Sequence, residues 1–327
     1  MISVVVVTHN SEACLGPCID ALARWLPEAE RIVIDNASTD GSREVGDRHG
    51  ATVVELHENL GFGRACNVGA SRAREDHVLF LNPDVTIDAA DTGELGRLLE
   101  ASSFGLVAPA STSRFTFGER PWPREALSLT LGGLWPRELP HLPQRRGGQA
   151  EWASGAALLV RVSEFLEIGG FDSRYFMYFE DHDLSWRYRN SGLTVRTTTA
   201  LVADHPVGGS SEIGDRRSEL LAYSLMGWLQ YTYSAYGPAV AGRASRLASR
   251  MHSTVTHTVG LAARLVPSTR LRRKALQLEG ITQELVRTSV HSGRLAQSDA
   301  CEYWPDAVTL IESWPAVLQR AHHLQHG

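Results

Sequence analysis

The chain has 327 residues, of which 43% are hydrophobic and 21% charged, a globular composition that excludes a disordered tail protein and a fibrous repeat. The formal net charge of −5 argues against a surface that wraps nucleic acid, so no nucleic-acid partner is expected. The 4 cysteines are too few for a disulfide framework, and they lack the second pair that a zinc site needs.

Reduced cysteines and the N-terminal sequence together predict a cytoplasmic protein. The first residues carry no basic region and no small-residue cleavage site, so they do not resemble a signal peptide. No stretch approaches the roughly 18 apolar residues that cross a bilayer. Any contact with a membrane is therefore expected to be peripheral, at the inner face of the cell membrane.

The first hundred residues alternate β-branched runs with helical patterns. Because a helical segment separates most of the predicted strands, the pattern implies right-handed crossovers and a mainly parallel central sheet. The predicted fold class is therefore α/β. Strands are predicted at residues 2–7, 31–35, 51–56 and 77–81, and helices at residues 12–25 and 64–74.

Polar residues follow each predicted strand at its carboxyl end. Thr8 and Asn10 follow the first strand, Asp35 ends the second, Asn59 follows the third, and residues 82–84 follow the fourth. Ligands of parallel sheets bind beyond these ends, where loops converge on helix N-termini. Capping and turn formation would explain any one of these residues, but their recurrence at four strand ends favours a site.

The loops argue against two other nucleotide-binding classes. Residues 8–11 contain no glycine, whereas a nicotinamide dehydrogenase needs a glycine-rich turn directly after its first strand. The same loop has neither a Walker lysine motif nor the glycine-rich basic loop with which a sugar nucleotidyltransferase would hold a triphosphate. A nucleotidyltransferase is kept only as a third hypothesis.

An ordered set of short motifs over about residues 1 to 211 resembles family 2 glycosyltransferases, particularly the rhamnosyltransferase-like branch. Each motif alone is a weak signal, but the ordered set is specific. The resemblance implies a GT-A fold, in which a nucleotide-binding half joins an acceptor-binding half, and an inverting transfer from a nucleoside-diphosphate sugar. The motifs are VVVVTHN at 4–10, IDNASTDGS at 34–42, NLGFGRACN at 59–67, LNPD at 81–84, ASGA at 153–156, GGFD at 169–172 and FEDHDLSWR at 179–187.

The resemblance implies which residues hold the donor. Thr8, Asn10 and Asp35 stand where the family holds the base and ribose. A carboxylate that accepts from a pyrimidine N3–H would select the base, and an Asx turn is the alternative for Asp35. The matching motifs add three asparagines to the predicted donor site: Asn59, Asn67 and Asn82.

Residues 82–84 stand where the family has its Asp-x-Asp signature. The first acid is Asn82 here, which leaves Asp84 as the carboxylate for a divalent cation, Mg²⁺ or Mn²⁺, bound together with the diphosphate. One fewer carboxylate predicts weaker metal binding. His205 matches a family histidine that can complete the metal or diphosphate contact, although a lone histidine is as often structural.

Residues 180–183 are predicted to open a helix. By spacing alone, Asp183 and Arg187 form an ordinary surface pair, and acids in a first helical turn favour the macrodipole. The family position instead implies that the Glu180–Asp181 pair supplies the general base, with Asp181 taking the proton from the acceptor hydroxyl. The sugar centre then inverts.

The acceptor residues rest on family position only. They are predicted to be Trp152, Gly155, Asp172 and Glu180, although Asp172 could merely cap a turn. The aromatic residues between 171 and 179 are more typical of a core than of a sugar platform. Five prolines between residues 111 and 148 predict an irregular excursion that would suit a lid, and the last 25 residues predict an amphipathic helix.

The C-terminal third is basic and helix-prone. Residues 221–278 contain no Asp or Glu but carry seven arginines and Lys274. A helix is predicted over residues 220–236, ending near Pro238. Such a segment can lie on an anionic membrane surface, which would suit a polyprenyl-diphosphate-linked acceptor. The alternative is a helical bundle or homodimer contact with a solvated basic face.

The domain prediction places a GT-A catalytic domain at residues 1–215 and a helical region at 216–327. Within the first, residues 1–110 form the nucleotide-binding half and residues 150–215 the acceptor half. The leading hypothesis is an inverting glycosyltransferase that moves L-rhamnose from dTDP-L-rhamnose to a lipid-linked or cell-envelope glycan. The alternatives are a UDP-sugar such as galactofuranose, or a catalytically silent nucleotide-sugar-binding protein.

Overall fold

The computed structural model describes residues 1–101, 104–111, 117–118, 150–205 and 217–265. The described residues fall into two compact units, one made of those up to residue 205 and the other of residues 217–265. The predicted proline-rich excursion lies almost entirely outside the described residues, and the predicted C-terminal helix lies wholly outside them.

Ten strands and eight helices are present in the described residues. The strands are β1 (Ser3–Thr8), β2 (Glu30–Asp35), β3 (Thr52–Glu55), β4 (His77–Leu81), β5 (Thr86–Ala90), β6 (Leu106–Ser111), β7 (Phe117–Gly118), β8 (Trp152–Ala153), β9 (Ala157–Arg161) and β10 (Val195–Asp204). The helices are α1 (Glu12–Trp25), α2 (Ser42–Arg48), α3 (Phe62–Arg72), α4 (Thr92–Leu99), α5 (Val162–Glu167), α6 (Glu180–Asn190), α7 (Arg217–Tyr236) and α8 (Pro238–Leu265).

Eight of these strands form one sheet in the order β3-β2-β1-β4-β9-β6-β10-β5. The half built from β3, β2, β1 and β4 is parallel, as predicted. In the other half β9 runs antiparallel to both of its neighbours, and β10 is parallel to β6 but antiparallel to β5. The α/β class is confirmed, but the sheet is mixed. The regular strand–helix alternation that predicts parallel pairing stops at β4, since only residues 82–85 separate β4 from β5.

Both faces of the sheet are covered, which explains the unbroken apolar run of β1. Val4 and Val6 belong to the core cluster that includes α1 and α4, whereas Val5 and Val7 belong to the cluster that includes α3, α5 and α6. Successive side chains of a strand point to opposite faces, so the central residues of a strand that is covered on both sides are all apolar.

The strand register brings several loops to one edge of the sheet. Thr8 lies opposite Asp35 at the carboxyl ends of β1 and β2, and Val6 lies opposite Leu81 near the end of β4. Because β9 runs antiparallel to β4, the residues just before β9 reach the same edge, where the Asn82 N–H donates to the Ala156 carbonyl at 2.9 Å.

The second unit contains α7 and α8. The helix predicted over residues 220–236 is confirmed, and it ends at Tyr236 before Gly237, whose φ of 81° is readily adopted only by glycine. Pro238 then starts α8 instead of stopping helical structure, because the first turn of a helix does not need its missing N–H. No helix among the described residues is long and apolar enough to span a membrane.

Candidate active site

The ends of β1 and β2 place two predicted donor residues side by side. The Thr8 Oγ1 is enclosed and has no hydrogen-bond partner among the described residues. Asp35 is buried, and its Oδ1 accepts from the Ser38 N–H at 3.2 Å. This is the Asx turn that the sequence left as an alternative. The turn engages the Oδ1 of Asp35, and no described residue donates a hydrogen bond to the Oδ2.

Two other predicted donor residues hold loops together. The Asn10 Oδ1 accepts from the Thr39 N–H at 2.7 Å and hydroxyl at 3.2 Å. The Asn59 Oδ1 accepts from the side chain of buried Asn36 and from the Gly61 N–H, both at 2.9 Å. These contacts explain both asparagines without a ligand. Asn36, to which the sequence analysis assigned no role, connects the two loops.

The loop that carries Gly61 contacts residues of the predicted acceptor half. The Phe62 N–H donates to the Phe176 carbonyl at 3.0 Å. Gly61 has a φ of 82°, and a Cβ at this position would lie 2.1 Å from the same carbonyl oxygen. Glycine is therefore required both by the backbone conformation and by the close approach of the two halves.

Asn67 and Asp172 shape the turn before α6. The Asn67 amide donates to the Phe171 carbonyl at 2.8 Å and accepts from the Phe171 N–H at 2.9 Å, so both of its ends are engaged. The Arg174 Nε lies 3.0 Å from each oxygen of Asp172. Burial tends to raise the pKa of Asp172, but the bonds and charge of Arg174 hold it below the usual value. These contacts position the turn, and the roles of Asn67 in donor binding and of Asp172 in acceptor binding stay predictions.

Asp84 and His205 form the predicted metal pair. The Asp84 carboxylate is almost fully buried, and the His205 Nε2 lies 3.4 Å from its Oδ1. Neighbouring ligands of an octahedral Mg²⁺ with bonds of about 2.1 Å lie about 3 Å apart, so the pair fits a divalent cation. Within the part of the chain that the structure describes, no group of three or more His, Cys, Asp or Glu side chains could hold a metal. A cation bound to Asp84 and His205 would therefore need further ligands other than these side chains, such as oxygens of a bound substrate.

Asp181 is fixed at the start of α6 by three hydrogen bonds. Its Oδ2 accepts from the Gly155 N–H, and its Oδ1 accepts from the backbone N–H and the ring Nδ1 of His182, all at 2.8 Å. Burial acts to raise its pKa, but His182 and these hydrogen bonds lower it below the ordinary value. Asp181 is therefore an ionised carboxylate held in one orientation.

Glu180, the preceding residue, has the opposite electrostatic environment. Its side chain is buried, and its Oε2 has no hydrogen-bond partner among the described residues. Burial, followed by the charge of Asp181, raises its pKa to about 8. Adjacent carboxyl groups are thus held in different protonation states near neutral pH, which is the usual arrangement of an acid–base site.

His182 packs between two aromatic rings. Its imidazole stacks on Trp152 with ring centres 4.3 Å apart and an interplanar angle of 21°. The ring of Phe179 is tilted relative to the imidazole, and the centres of these two rings are 4.8 Å apart. The Trp152 Nε1 is enclosed without a hydrogen-bond partner among the described residues. The sequence analysis gave His182 no role, and its place next to Asp181 was the only available signal.

The three predicted carboxylates lie along one edge of the sheet. Asp35 ends β2, two strands from β4, whose following loop carries Asp84. That loop is bonded to Ala156, and the neighbouring Gly155 is bonded to Asp181. This edge therefore carries the predicted donor residue Asp35, the Asp84–His205 pair and the fixed carboxylate of Asp181.

Comparison with known proteins matches the chain to one family. Residues 3–165 match glycosyl transferase family 2. N-acetylglucosaminyl-diphospho-decaprenol L-rhamnosyltransferase of Mycobacterium tuberculosis is 32% identical, over 68% of this chain and 81% of that protein. Rhamnosyltransferase WbbL of Escherichia coli K12 is 24% identical, over 63% of this chain and 83% of that protein.

The chain belongs to glycosyl transferase family 2. The rhamnosyltransferase-like branch is the one to which these relatives belong, and the family transfers sugars from nucleotide donors. Solved structures confirm the GT-A fold. GalNAc-T7 with UDP, GalNAc and Mn²⁺ aligns with a TM-score of 0.55 at 16% identity, over 75% of this chain and 50% of that one. The mannosyltransferase PcManGT of Pyrobaculum calidifontis aligns with a TM-score of 0.50 at 16% identity, over 88% of this chain and 86% of that one.

Strained backbone in this family 2 glycosyltransferase is concentrated in the site loops. Among the described residues, the non-glycine residues with positive φ are Asn10, Ala37, Tyr178 and Phe179, with values of 54°, 60°, 69° and 69°. Such conformations cost about 1–3 kcal/mol each and persist only where surrounding contacts impose them. Tyr178 and Phe179 directly precede Glu180, so the strain fixes where the two carboxyl groups emerge.

The Asp183–Arg187 pair of the glycosyltransferase is buried, which corrects the prediction of a surface pair. Asp183 is 1% exposed, and the Arg187 Nε lies 2.7 Å from its Oδ2. Burial raises the pKa of Asp183 against the effect of Arg187. The Arg187 guanidinium also donates to the carbonyls of Ile168 at 3.0 Å and Gly170 at 2.7 Å. The pair therefore ties α6 to the turn that Asn67 and Asp172 shape.

Proposed function

We propose that this family 2 glycosyltransferase moves a sugar, with inversion, from a dTDP-sugar to a lipid-linked glycan. The observation that carries this proposal is the fixed, ionised Asp181 at the sheet edge that also bears Asp35 and Asp84. The names of the relatives support L-rhamnose as the sugar and a polyprenyl-diphosphate-linked N-acetylglucosamine as the acceptor.

The nucleotide is proposed to bind at the ends of β1, β2 and β4. The enclosed Thr8 hydroxyl, the unengaged oxygen of Asp35 and the half-buried Asn82 are the groups available to it. The side chains of Asn10 and Asn59 hold the surrounding loops. A carboxylate at Asp35 would accept from the N3–H of thymine or uracil, so the site favours a pyrimidine without distinguishing the two.

A divalent cation is proposed to bind between Asp84 and His205, with the donor diphosphate completing its ligands. The GalNAc-T7 structure contains Mn²⁺ together with UDP, and the PcManGT structure contains Mn²⁺ together with GDP-Man. When bound, the cation supplies charge neutralisation of the departing diphosphate.

Asp181 is proposed to act as the general base. It accepts the proton of the acceptor hydroxyl as that oxygen forms a bond to the anomeric carbon. The bond from that carbon to the diphosphate oxygen breaks on the opposite side, and the nucleoside diphosphate leaves with the electron pair. Attack from the opposite side inverts the centre. Positioned base catalysis contributes about 10²–10⁴-fold to such a step.

The acceptor is proposed to lie against Trp152, Gly155 and Glu180. A Cβ at Gly155 would lie 3.1 Å from the Phe62 ring and 3.5 Å from the Asp181 Cβ, so a side chain at this position would crowd the base. The enclosed Trp152 Nε1 and Glu180 Oε2 are polar atoms that an acceptor hydroxyl could satisfy.

The exposed face of α8 is proposed to contact the anionic membrane surface that carries the acceptor lipid. Arg243, Arg246 and Arg250 are exposed at intervals of three or four residues, and they share their helix face with Leu247 and Leu261, which are 60% and 52% exposed. Residues 221–265 contain no acidic side chain, so nothing on this segment offsets that charge. Arginines beside leucines are typical of helices that lie in the membrane interface.

The test of the function combines donor selection with turnover. We expect dTDP to raise the melting temperature more than UDP or GDP, with a larger increase in the presence of Mn²⁺. We expect Asp181→Asn to reduce transfer from dTDP-L-rhamnose to N-acetylglucosaminyl-diphospho-polyprenol by about 10²–10⁴-fold while the dTDP shift is kept. Asp47→Asn, on the exposed face of α2, is the matched control.

The outcomes separate the alternatives. Stabilisation by UDP alone would replace the dTDP-sugar with a UDP-sugar. Nucleotide stabilisation without transfer or donor hydrolysis by the parent would favour a silent binding protein. Normal turnover by Asp181→Asn would refute the base assignment.

A further inference from the structure

We propose that His182 is the positioning residue of the catalytic base, holding one oxygen of Asp181 so that the other oxygen receives the acceptor proton. This inference rests on the proposed role of Asp181 and adds a residue to it. The observations that carry it are the contact between the His182 Nδ1 and the Asp181 Oδ1 at 2.8 Å and the aromatic rings against the imidazole.

The contact fixes the tautomer of His182. An ionised carboxylate can only accept hydrogen bonds, so a hydrogen must lie on Nδ1 for the two atoms to approach at 2.8 Å. A protonated ring nitrogen facing Asp181 cannot accept a proton from it. His182 therefore keeps its Nδ1 hydrogen throughout the reaction and acts by orientation, not as a proton relay.

The two oxygens of Asp181 are not equivalent. Oδ1 accepts two hydrogen bonds, from the backbone and the ring of His182, whereas Oδ2 accepts one, from the Gly155 N–H. Oδ2 thus has the greater remaining acceptor capacity, and it lies beside Gly155, which has no side chain to cover it. The acceptor hydroxyl donates to Oδ2, and the proton transfers there as the new glycosidic bond forms.

The aromatic rings hold the imidazole in this orientation. Trp152 stacks on one side at 4.3 Å and Phe179 lies tilted at 4.8 Å. Phe179 itself has a left-handed backbone, with a φ of 69°. A rotation of the His182 ring away from Asp181 would have to disturb both contacts, so the hydrogen bond is preorganised before the acceptor arrives.

The same hydrogen bond keeps Asp181 ionised. The titratable group next to Asp181 on the same helix is Glu180, and the thiol of Cys66 on α3 interacts with Glu180 in turn. Burial raises the pKa of both the Cys66 thiol and Glu180, so both groups are neutral at the pH where Asp181 titrates, and His182 is the neighbour that lowers the pKa of Asp181. Loss of the hydrogen bond from His182 should therefore raise the pKa of Asp181, and with it the pH above which the enzyme is active.

Two variants separate the effect of the hydrogen bond from the effect of the aromatic ring. His182→Phe keeps an aromatic ring against Trp152 and removes the hydrogen bond, whereas His182→Asn places an amide N–H near the position of Nδ1 and removes the ring. The experiment measures kcat and KM against pH for the full chain, with the nucleotide sugar whose nucleotide stabilises the protein. Nucleotide-dependent thermal shifts confirm that each variant is folded.

We expect His182→Phe to move the acid limb of the kcat profile upward by about one pH unit and to lower kcat about 10-fold on that limb, with KM for the donor unchanged. His182→Asn should restore most of the parental profile. An unchanged pH profile in His182→Phe, or equal defects in both variants, would overturn the inference. If Asp181→Asn is inactive while His182→Phe keeps the parental profile, the base assignment stands and only the positioning role fails.

Discussion

Glu180 and Asp181 show how one step along the chain changes the chemistry of a carboxyl group. Asp181 has three hydrogen-bond donors, and they lower its pKa in spite of burial. Glu180 is enclosed without a donor to Oε2, and burial raises its pKa. The charge on Asp181 adds to this effect, so each residue helps to set the protonation state of the other.

This difference predicts a pH-dependent gain of stability in Glu180→Gln. The pKa of Glu180 rises from 4.5 to about 8 on folding, so between these values the folded state holds a proton that the unfolded state has released. The free energy of unfolding of the parent therefore falls as the pH rises through this interval. Glutamine does not titrate. We expect the melting temperature of Glu180→Gln, relative to the parent, to increase from about pH 5 to about pH 8.

The measurement is a series of thermal melts across this interval, and Glu167→Gln, an exposed substitution on α5, is the control. The control should show a difference that does not change with pH. The same flat difference in Glu180→Gln would contradict the raised pKa.

The hydrophobic pattern of the sequence predicted where several candidate site residues lie in the fold, whereas the roles of these residues stay predictions. Thr8, Asp35 and Asp84 lie at strand ends, and strand ends follow from hydrophobic pattern alone. Asn67 could not be assigned in this way, because its partner Phe171 is 104 residues away. Asp172 likewise depends on the fold of a turn, where Arg174 returns to bind it.

At the scale of elements, α6 is anchored by one buried ion pair. Asp183 and Arg187 are spaced for an ordinary helical pair, but Arg187 also donates to the carbonyls of Ile168 and Gly170. The strained residues before α6 need such an anchor, because their conformations are unfavourable by themselves. Sequence spacing predicted the pair correctly and its burial wrongly, since burial depends on how the turn packs.

Arg187→Met should destabilise the protein strongly. It leaves the Asp183 carboxylate buried without its cation, a change that costs about 3–5 kcal/mol in comparable pairs. The double variant Asp183→Asn with Arg187→Met removes both charges, so it should lose less. Urea unfolding of the three proteins measures the difference. Equal losses in the single and double variants would show that the carbonyl contacts, not the charge pair, provide the anchor.

The mixed sheet marks the limit of element-scale prediction. The parallel half was predictable because each of its crossovers contains a helix with its own periodicity. The other half contains β5 and β9, which pair antiparallel with β10 and β4. Their partners are distant in sequence, so local patterns carry no information about the pairing.

At the scale of the whole molecule, charge is distributed unevenly along the chain. The net charge is −5, yet residues 221–278 carry eight basic residues and no acidic one. An acidic protein is repelled by an anionic membrane unless its basic residues are gathered on one surface. The exposed arginines of α8 provide such a surface in the second unit.

The membrane proposal predicts binding that depends on lipid charge and salt. Each basic side chain near an anionic surface contributes about 1 kcal/mol, so replacing Arg243, Arg246 and Arg250 by Gln should weaken vesicle binding about a hundredfold at low salt. Flotation with phosphatidylglycerol vesicles measures this binding, with neutral phosphatidylcholine vesicles for comparison.

The matched control replaces Arg24, Arg48 and Arg72, three exposed arginines of the first unit, by Gln. The α8 variant should keep parental activity on a water-soluble acceptor analogue, because it leaves the catalytic residues untouched. Salt-independent absence of the parent from both kinds of vesicle, or equal loss in the two triple variants, would refute a membrane role for α8.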